Sequence, residues 1–107
     1  MIIKEVSKYI KKYPLILTGD FNCMDTSLVH KIFKEGGLHD GFFVSKEPHY
    51  GPNSTWNGFK EIGNNQRIDF IYVNDHVSII KHAILTDRWD GRFLSDHLPV
   101  VSEIIIR

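Results

Sequence analysis

An α/β chain, with its helices gathered on one side of a mixed and mostly antiparallel sheet, is the fold class that this sequence predicts. Two stretches repeat apolar residues at spacings of three and four, one short apolar run is unbroken, and the final third alternates β-rich runs with polar turns.

Taken in order, Ile2, Ile3, Val6, Tyr9 and Ile10 form one apolar stripe with lysines between them, which predicts a helix. Tyr13 and Pro14 end it, because the residue before a proline disfavours the helical conformation. The run Leu15, Ile16, Leu17 predicts a strand covered on both faces, with a turn opening at Gly19. Asp25, Thr26 and Ser27 are N-cap types ahead of Leu28, Val29, Ile32 and Phe33, and Gly36-Gly37 stops the second helix that they start.

From Leu38 to Lys60 the chain is rich in Gly, Pro, Asn, Ser and His, which predicts loop, with Phe42-Phe43-Val44 and Ser54-Thr55-Trp56 as short strand-like islands. Ile68 to Val73 and Val77 to Leu85 read as a hairpin closed by Asn74-Asp75-His76. Residues 86–97 make a polar loop, and Leu98 to Ile106 is the closing strand, with Pro99 near its start where a missing N–H is tolerated.

The 107 residues carry 13 basic and 13 acidic side chains, a formal net charge of zero and 42% apolar residues, the make-up of one ordinary globular domain. A chain of this length buries roughly 65% of its unfolded surface, enough for a modest core without staples. Cys23 is the only cysteine, so no disulfide forms within the chain; it fits a reducing compartment and a structural or incidental role. No apolar run reaches the ~18 residues of a membrane span, and the first residues lack the basic-then-apolar pattern of an export signal. Cytoplasmic residence with no membrane partner is the resulting expectation. Zero net charge weighs against a protein that coats nucleic acid, since that mode draws affinity from a positive surface. Lys4, Lys8, Lys11 and Lys12 are expected on the wet face of the first helix.

Three carboxylates are forced by the pattern against apolar structure. Asp20 lies just past the Leu15–Leu17 run, at the carboxyl end of a strand, where open α/β sheets place ligands; an Asx turn built by Asp20 or Asn22 is the plainer alternative. Period two places Asp69 on the face of Ile71 and Val73, an expensive position unless something pairs with it, and Arg67 on that face offers a salt bridge as the plain solution. Asp96 and His97 are adjacent just as a strand begins. The remaining histidines, His30, His39, His49, His76 and His82, fall on helix surfaces, loops or strands without ligand-like spacing.

Gly19-Asp20-Phe21-Asn22, Ser54-Thr55-Trp56, Arg67-Ile68-Asp69-Phe70-Ile71 and Ser95-Asp96-His97-Leu98-Pro99-Val100, in that order, resemble the C-terminal half of the endonuclease/exonuclease/phosphatase superfamily. That superfamily includes deoxyribonuclease I-like and exonuclease III-like nucleases, sphingomyelinases and inositol polyphosphate 5-phosphatases. Each motif is short, but four in register span nearly the whole chain.

The resemblance implies a role for each residue. Asp20 matches the aspartate that orients or deprotonates the attacking water, and Asn22 the asparagine that binds a non-bridging phosphate oxygen. Asp69 matches the carboxylate that fixes the tautomer of the catalytic histidine, and His97 matches that histidine. Asp96 matches a ligand of a divalent cation, magnesium or manganese. Thr55 and Trp56 match a segment lining the substrate cleft, with core packing open as the alternative for Trp56. Carboxylates gathered about 4 Å apart repel by ~4 kcal/mol at an effective dielectric near 20, so such a cleft calls for a cation or a protonated histidine. Phosphoryl chemistry depends on that electrostatic clamp more than on a covalent nucleophile.

By the same resemblance, the fold implied is half of a four-layer α/β/β/α sandwich, with residues 1–107 as a single partial domain. The first half of the family's domain contributes an early asparagine and the glutamate that is the main metal ligand. Glu5, Glu35, Glu47, Glu61 and Glu103 do not lie in a matching context, so the metal site is expected to be incomplete in this polypeptide. A metal-dependent phosphoesterase of phosphodiesters or phosphomonoesters follows, completed by an N-terminal half or by self-association. The alternative is a non-catalytic truncated half-domain that only self-associates or binds a partner through one uncovered apolar sheet face. Nucleic acid is a possible substrate that the charge does not indicate.

Overall fold

The computed structural model describes residues 2–21 and 27–107; Asn22, Cys23, Asp25 and Thr26 lie outside the described residues. The elements run α1 (Ile2–Val6), β1 (Ile16–Asp20), α2 (Leu28–Glu35), β2 (His39–Asp40), α3 (Gly41–Val44), β3 (Asp69–Val73), β4 (Val77–Ile84) and β5 (Val100–Ile106). The mixed α/β class stands, and every strand pairing among these elements is antiparallel.

One sheet has the order β1-β3-β2 and a second joins β4 to β5, where a single sheet was expected. Asn74 explains why β3 and β4 do not close the expected hairpin. Its buried side chain donates from Nδ2 to the carbonyls of Ile10 and Tyr13, and its Oδ1 accepts from the N–H of Leu15. The turn is thereby tied to the start of β1, which takes one edge of β3, while β2 takes the other. Strand β4 is left to pair with β5, from Val77 opposite Ile106 to Ile84 opposite Val100.

The pleat sorts β1 and β3 into two faces. Leu17, Phe70 and Tyr72 point to the helices and pack with Phe33, Leu38, Ile3, Val6, Ile10, Leu15 and Phe21. Each apolar side chain fully buried there contributes about 1.5–3 kcal/mol relative to exposure. The stripes are borne out at Ile3, Val6, Ile10 and Phe33 but not at Tyr9, Leu28 and Val29, which are exposed, while Lys4, Lys8, Lys11 and Lys12 stay exposed as expected. His30 departs from its expected surface position: it is buried in α2 and bonds through Nδ1 to the Tyr72 hydroxyl.

The other face carries Ile16, Thr18 and Asp20 opposite Val73, Ile71 and Asp69. Its Ile71–Val73 end packs against Val77, Ile79 and Ile104 of the second sheet. Ile16 is 44% exposed, so β1 is not covered on both faces as its apolar run suggested. An unbroken apolar triplet does not distinguish a strand buried on both sides from one whose second face is open.

Phe42-Phe43-Val44 is also corrected, from a strand island to the helical turn α3. Asp40 caps that turn, its Oδ1 accepting the Phe42 N–H at 3.0 Å. Among the described residues, no helix is long and apolar enough to cross a membrane.

Candidate active site

The open end of the β1–β3 face is where the sequence-predicted residues meet. Asp20 and Asp69 are cross-strand partners and therefore point to the same side of the ladder. His97 arrives from the loop before β5 and sits over both. Its Nδ1 bonds to Asp69 Oδ2 at 2.7 Å, and its Nε2 lies 3.6 Å from Asp20 Oδ2. Donor atoms of Asp20, Asp69 and His97 all fall within 4.8 Å of one another.

The carboxylates set the imidazole's chemistry. A carboxylate only accepts, so Nδ1 carries the proton toward Asp69 and Nε2 is the atom that faces Asp20 and the cleft. The hydrogen bond to Asp69 raises the His97 pKa above its ordinary 6.5, partial burial opposes this, and the charges of Asp69, Asp20 and Asp96 add to the rise. His97 is thus held in one tautomer, with its proton affinity increased.

A buried bracket places His97. Thr55 and Asn57 are 0% and 1% exposed. Thr55 Oγ1 accepts the N–H groups of both Ile68 and Asp69, at 3.0 and 3.2 Å, and so fixes the head of β3. Its carbonyl accepts the Leu98 N–H, and Trp56 and His97 form an antiparallel bridge. Asn57 donates from its backbone N–H to the Asp96 carbonyl at 2.8 Å and from Nδ2 to the Ser95 carbonyl at 3.0 Å. Residues 54–57 therefore act as a splint between β3 and the Ser95-Asp96-His97 turn.

Thr55 corrects the expectation that it lines the cleft: it is buried, and its hydroxyl is used by two backbone groups. Trp56, 40% exposed, is not a core residue and lies beside His97. Asp96 is half-buried and falls outside the three-residue cluster, though its charge acts on His97. Asn22 lies outside the described residues. Asn57 escaped sequence reading because Asn57-Gly58 looks like ordinary turn composition.

Arg67 corrects the parity argument. Arg67 precedes β3, which begins at Asp69, and its guanidinium lies 4.4 Å from the ring centroids of both Phe42 and Phe70. There it pairs with Asp40 through two hydrogen bonds, Nη1 to Oδ1 at 3.0 Å and Nη2 to Oδ2 at 2.5 Å. No sequence signal links positions 40 and 67.

An imidazole held by one carboxylate and facing a second, at the open end of a strand pair, has the make-up of a group able to take up or give a proton at Nε2. The sequence profile of the endonuclease/exonuclease/phosphatase family matches residues 6–97, and the chain belongs to that family. A family protein from Bacteroides thetaiotaomicron superposes with a TM-score of 0.86 at 30% identity, over 99% of this chain and 42% of its own. A functionally unknown conserved protein from Enterococcus faecalis V583 gives 0.82 at 33% identity, with the same coverage of 99% and 42%. The mannosyl-6-phosphatase Bt3783 of Bacteroides thetaiotaomicron VPI-5482 gives 0.84 at 31%, over 98% of this chain and 42% of its own. The chain thus spans about 42% of the length of these structures. None of the curated proteins matches the chain significantly.

Proposed function

We propose that this chain carries the histidine-bearing part of a divalent-metal-dependent phosphoesterase site. The observation that carries the reading is His97 held between Asp69 at 2.7 Å and Asp20 at 3.6 Å. In this reading Asp69 positions and charges the imidazole, His97 Nε2 contacts the phosphate ester or its water, and Asp20 orients the attacking water. Asn22, two residues beyond Asp20, is assigned to a non-bridging phosphate oxygen, and Trp56 to a wall of the cleft. Residues 1–107 are the C-terminal portion of a catalytic domain, a reading supported by coverage of 42% of the similar structures' lengths.

The donor set fits a hard cation. Magnesium is held by one or two carboxylates and keeps several waters; Asp20 and Asp69 would offer carboxylate oxygens beside the imidazole, and Asp96 is the further carboxylate that the family resemblance assigns to the ion. A magnesium or manganese ion bound there would supply charge stabilisation to the phosphoryl group. His97 and Asp20 contribute the proton handling.

The similarity to a mannosyl-6-phosphatase makes a sugar phosphate monoester the first substrate to try, ahead of a diester. The test is hydrolysis of mannose 6-phosphate, p-nitrophenyl phosphate and bis(p-nitrophenyl) phosphate by the chain combined with the N-terminal portion of a similar family domain, with magnesium or manganese, against EDTA. Turnover that needs the ion and is lost in Asp20→Asn supports the proposal. Turnover indifferent to EDTA, or none with any ester, contradicts it for this chain.

A further inference from the structure

The hydroxyl of the serine that starts α2 has no partner among the described residues. Ser27 holds the N-cap position in extended backbone, where such a side chain ordinarily accepts an N–H of the first turn, and it accepts none. Its Oγ is nonetheless buried. Native folds keep few buried polar atoms unsatisfied, because each costs free energy, and each calls for an explanation.

Ser27 lines a cavity of about 350 Å³ walled by α2, β2 and α3. That volume falls within the ~300–1,000 Å³ of small-molecule sites. Leu38 and Tyr72 give it an apolar wall, and Phe43 and Val44, 68% and 43% exposed, extend that wall to the surface. Tyr72 belongs to the helix-covered face of β3, so the cavity lies on the side of the sheet away from Asp20 and Asp69.

The charge left over at this cavity is positive. Spacings of four and three put Ser27, Lys31 and Lys34 on one face of α2, and all three line the cavity. Neither lysine has an ion-pair partner among the described residues. The acidic residue on the wall, Asp40, is committed to Arg67 and to the Phe42 N–H, and His39 is bonded to Asp75.

We propose that this cavity binds an amphiphilic monoanion, a carboxylate on an apolar chain, with Ser27 Oγ, Lys31 and Lys34 on the carboxylate and the apolar wall on the chain. One hydroxyl and two ammonium groups suit the two oxygens of a carboxylate; the further oxygen and charge of a phosphate would face apolar surface. The proposal is independent of the phosphoesterase reading, since none of these residues belongs to the Asp20, Asp69 and His97 cluster.

The test is a titration followed by amide NMR, with this chain isotopically labelled and combined with the unlabelled N-terminal portion of a similar family domain. The ligands are octanoate, octanol and acetate. Saturable octanoate shifts confined to residues 27–44 and Tyr72 are expected, with an affinity at least about tenfold above those of octanol and acetate, which each lack one of the two contacts. Ser27→Ala is expected to weaken octanoate about tenfold, the share of one hydrogen bond to a charged group. The same variant should leave the urea midpoint unchanged or higher, because it removes an unsatisfied oxygen and no cap bond. Lys31→Gln with Lys34→Gln, both at exposed positions, is expected to reduce octanoate to the affinity of octanol. Octanoate shifts that do not saturate, that spread beyond these residues, or that survive both variants overturn the proposal, as does the absence of any shift.

Discussion

Asp20 and Asp69 stand directly opposite each other on the last rung of the β1–β3 ladder, with the His97 imidazole bonded to one and facing the other. Like charges in directly opposed positions destabilise a strand pair. At about 5 Å and an effective dielectric near 20 their repulsion is about 3 kcal/mol. A protonated His97 offsets that cost, which couples the charge state of the imidazole to the two strands beneath it.

Replacing Asp69 by Asn keeps an acceptor for Nδ1 and removes the charge. The His97 pKa, raised mainly by the Asp69 hydrogen bond, is expected to fall toward 6.5 in Asp69→Asn when the imidazole signals are followed by NMR across pH. The sign for stability follows from linkage. A folded pKa above the unfolded value stabilises fully below about pH 6.5, and that contribution is lost as pH rises through the folded value. An unchanged titration in Asp69→Asn contradicts the bond.

His82 acts in the opposite sense. Its Nδ1 bonds His49 Nδ1 at 2.8 Å, and His49 Nε2 donates to the Pro52 carbonyl. His49 Nδ1 is therefore the acceptor, and His82 Nε2 is left buried as a lone pair with no partner among the described residues. Burial, and then His49, lower the His82 pKa to about 4. A lowered folded pKa gives stability that is complete above about pH 6.5 and lost as pH falls toward 4, roughly 3 kcal/mol over that window. Urea midpoints measured from pH 7 to 4 are expected to fall accordingly, and to flatten in His82→Leu.

Thr55→Val keeps the shape but leaves two part-buried backbone N–H groups without their acceptor. A loss of about 1–3 kcal/mol is expected in urea unfolding, with Thr55→Ser restoring most of it. Equal stability of the Val and Ser variants would show that the hydroxyl does not hold β3.

The Arg67–Asp40 pair is almost fully buried, with side chains 3% and 10% exposed. Removing the cation alone strands a buried carboxylate, so Arg67→Met is expected to lose about 3–5 kcal/mol. Arg67→Met with Asp40→Asn should recover much of that, because Asn still caps α3. Arg67→Lys is not conservative here, since only a planar guanidinium fits between the Phe42 and Phe70 rings while pairing bidentately.

The limits of sequence reading follow from what each signal encodes. Helical spacing in Ile3, Val6 and Ile10 and in Phe33 reports a local property, and the core they build was legible. Asp20, Asp69 and His97 were legible through short motifs at strand ends, and the structure brings their side chains together. Asn74 and Asn57 were not, because a turn-forming asparagine and a buried one that splints distant segments share the same composition. The strand partners of β3 depended on that Asn74 network, and so the hairpin was misread. Arg67 was assigned to the wrong face because alternation holds only within a strand, and β3 begins at Asp69.

The central claim is that His97 is the working group of a phosphate-ester site, and the hydrolysis rate of His97→Ala against the unaltered chain, each combined with the N-terminal portion of a similar family domain, tests it most directly. With magnesium or manganese and the best ester of the panel, the account predicts a fall of about 10²–10⁴-fold, the usual contribution of a positioned acid–base group. A His97→Ala variant that hydrolyses the ester as fast as the unaltered chain would contradict it.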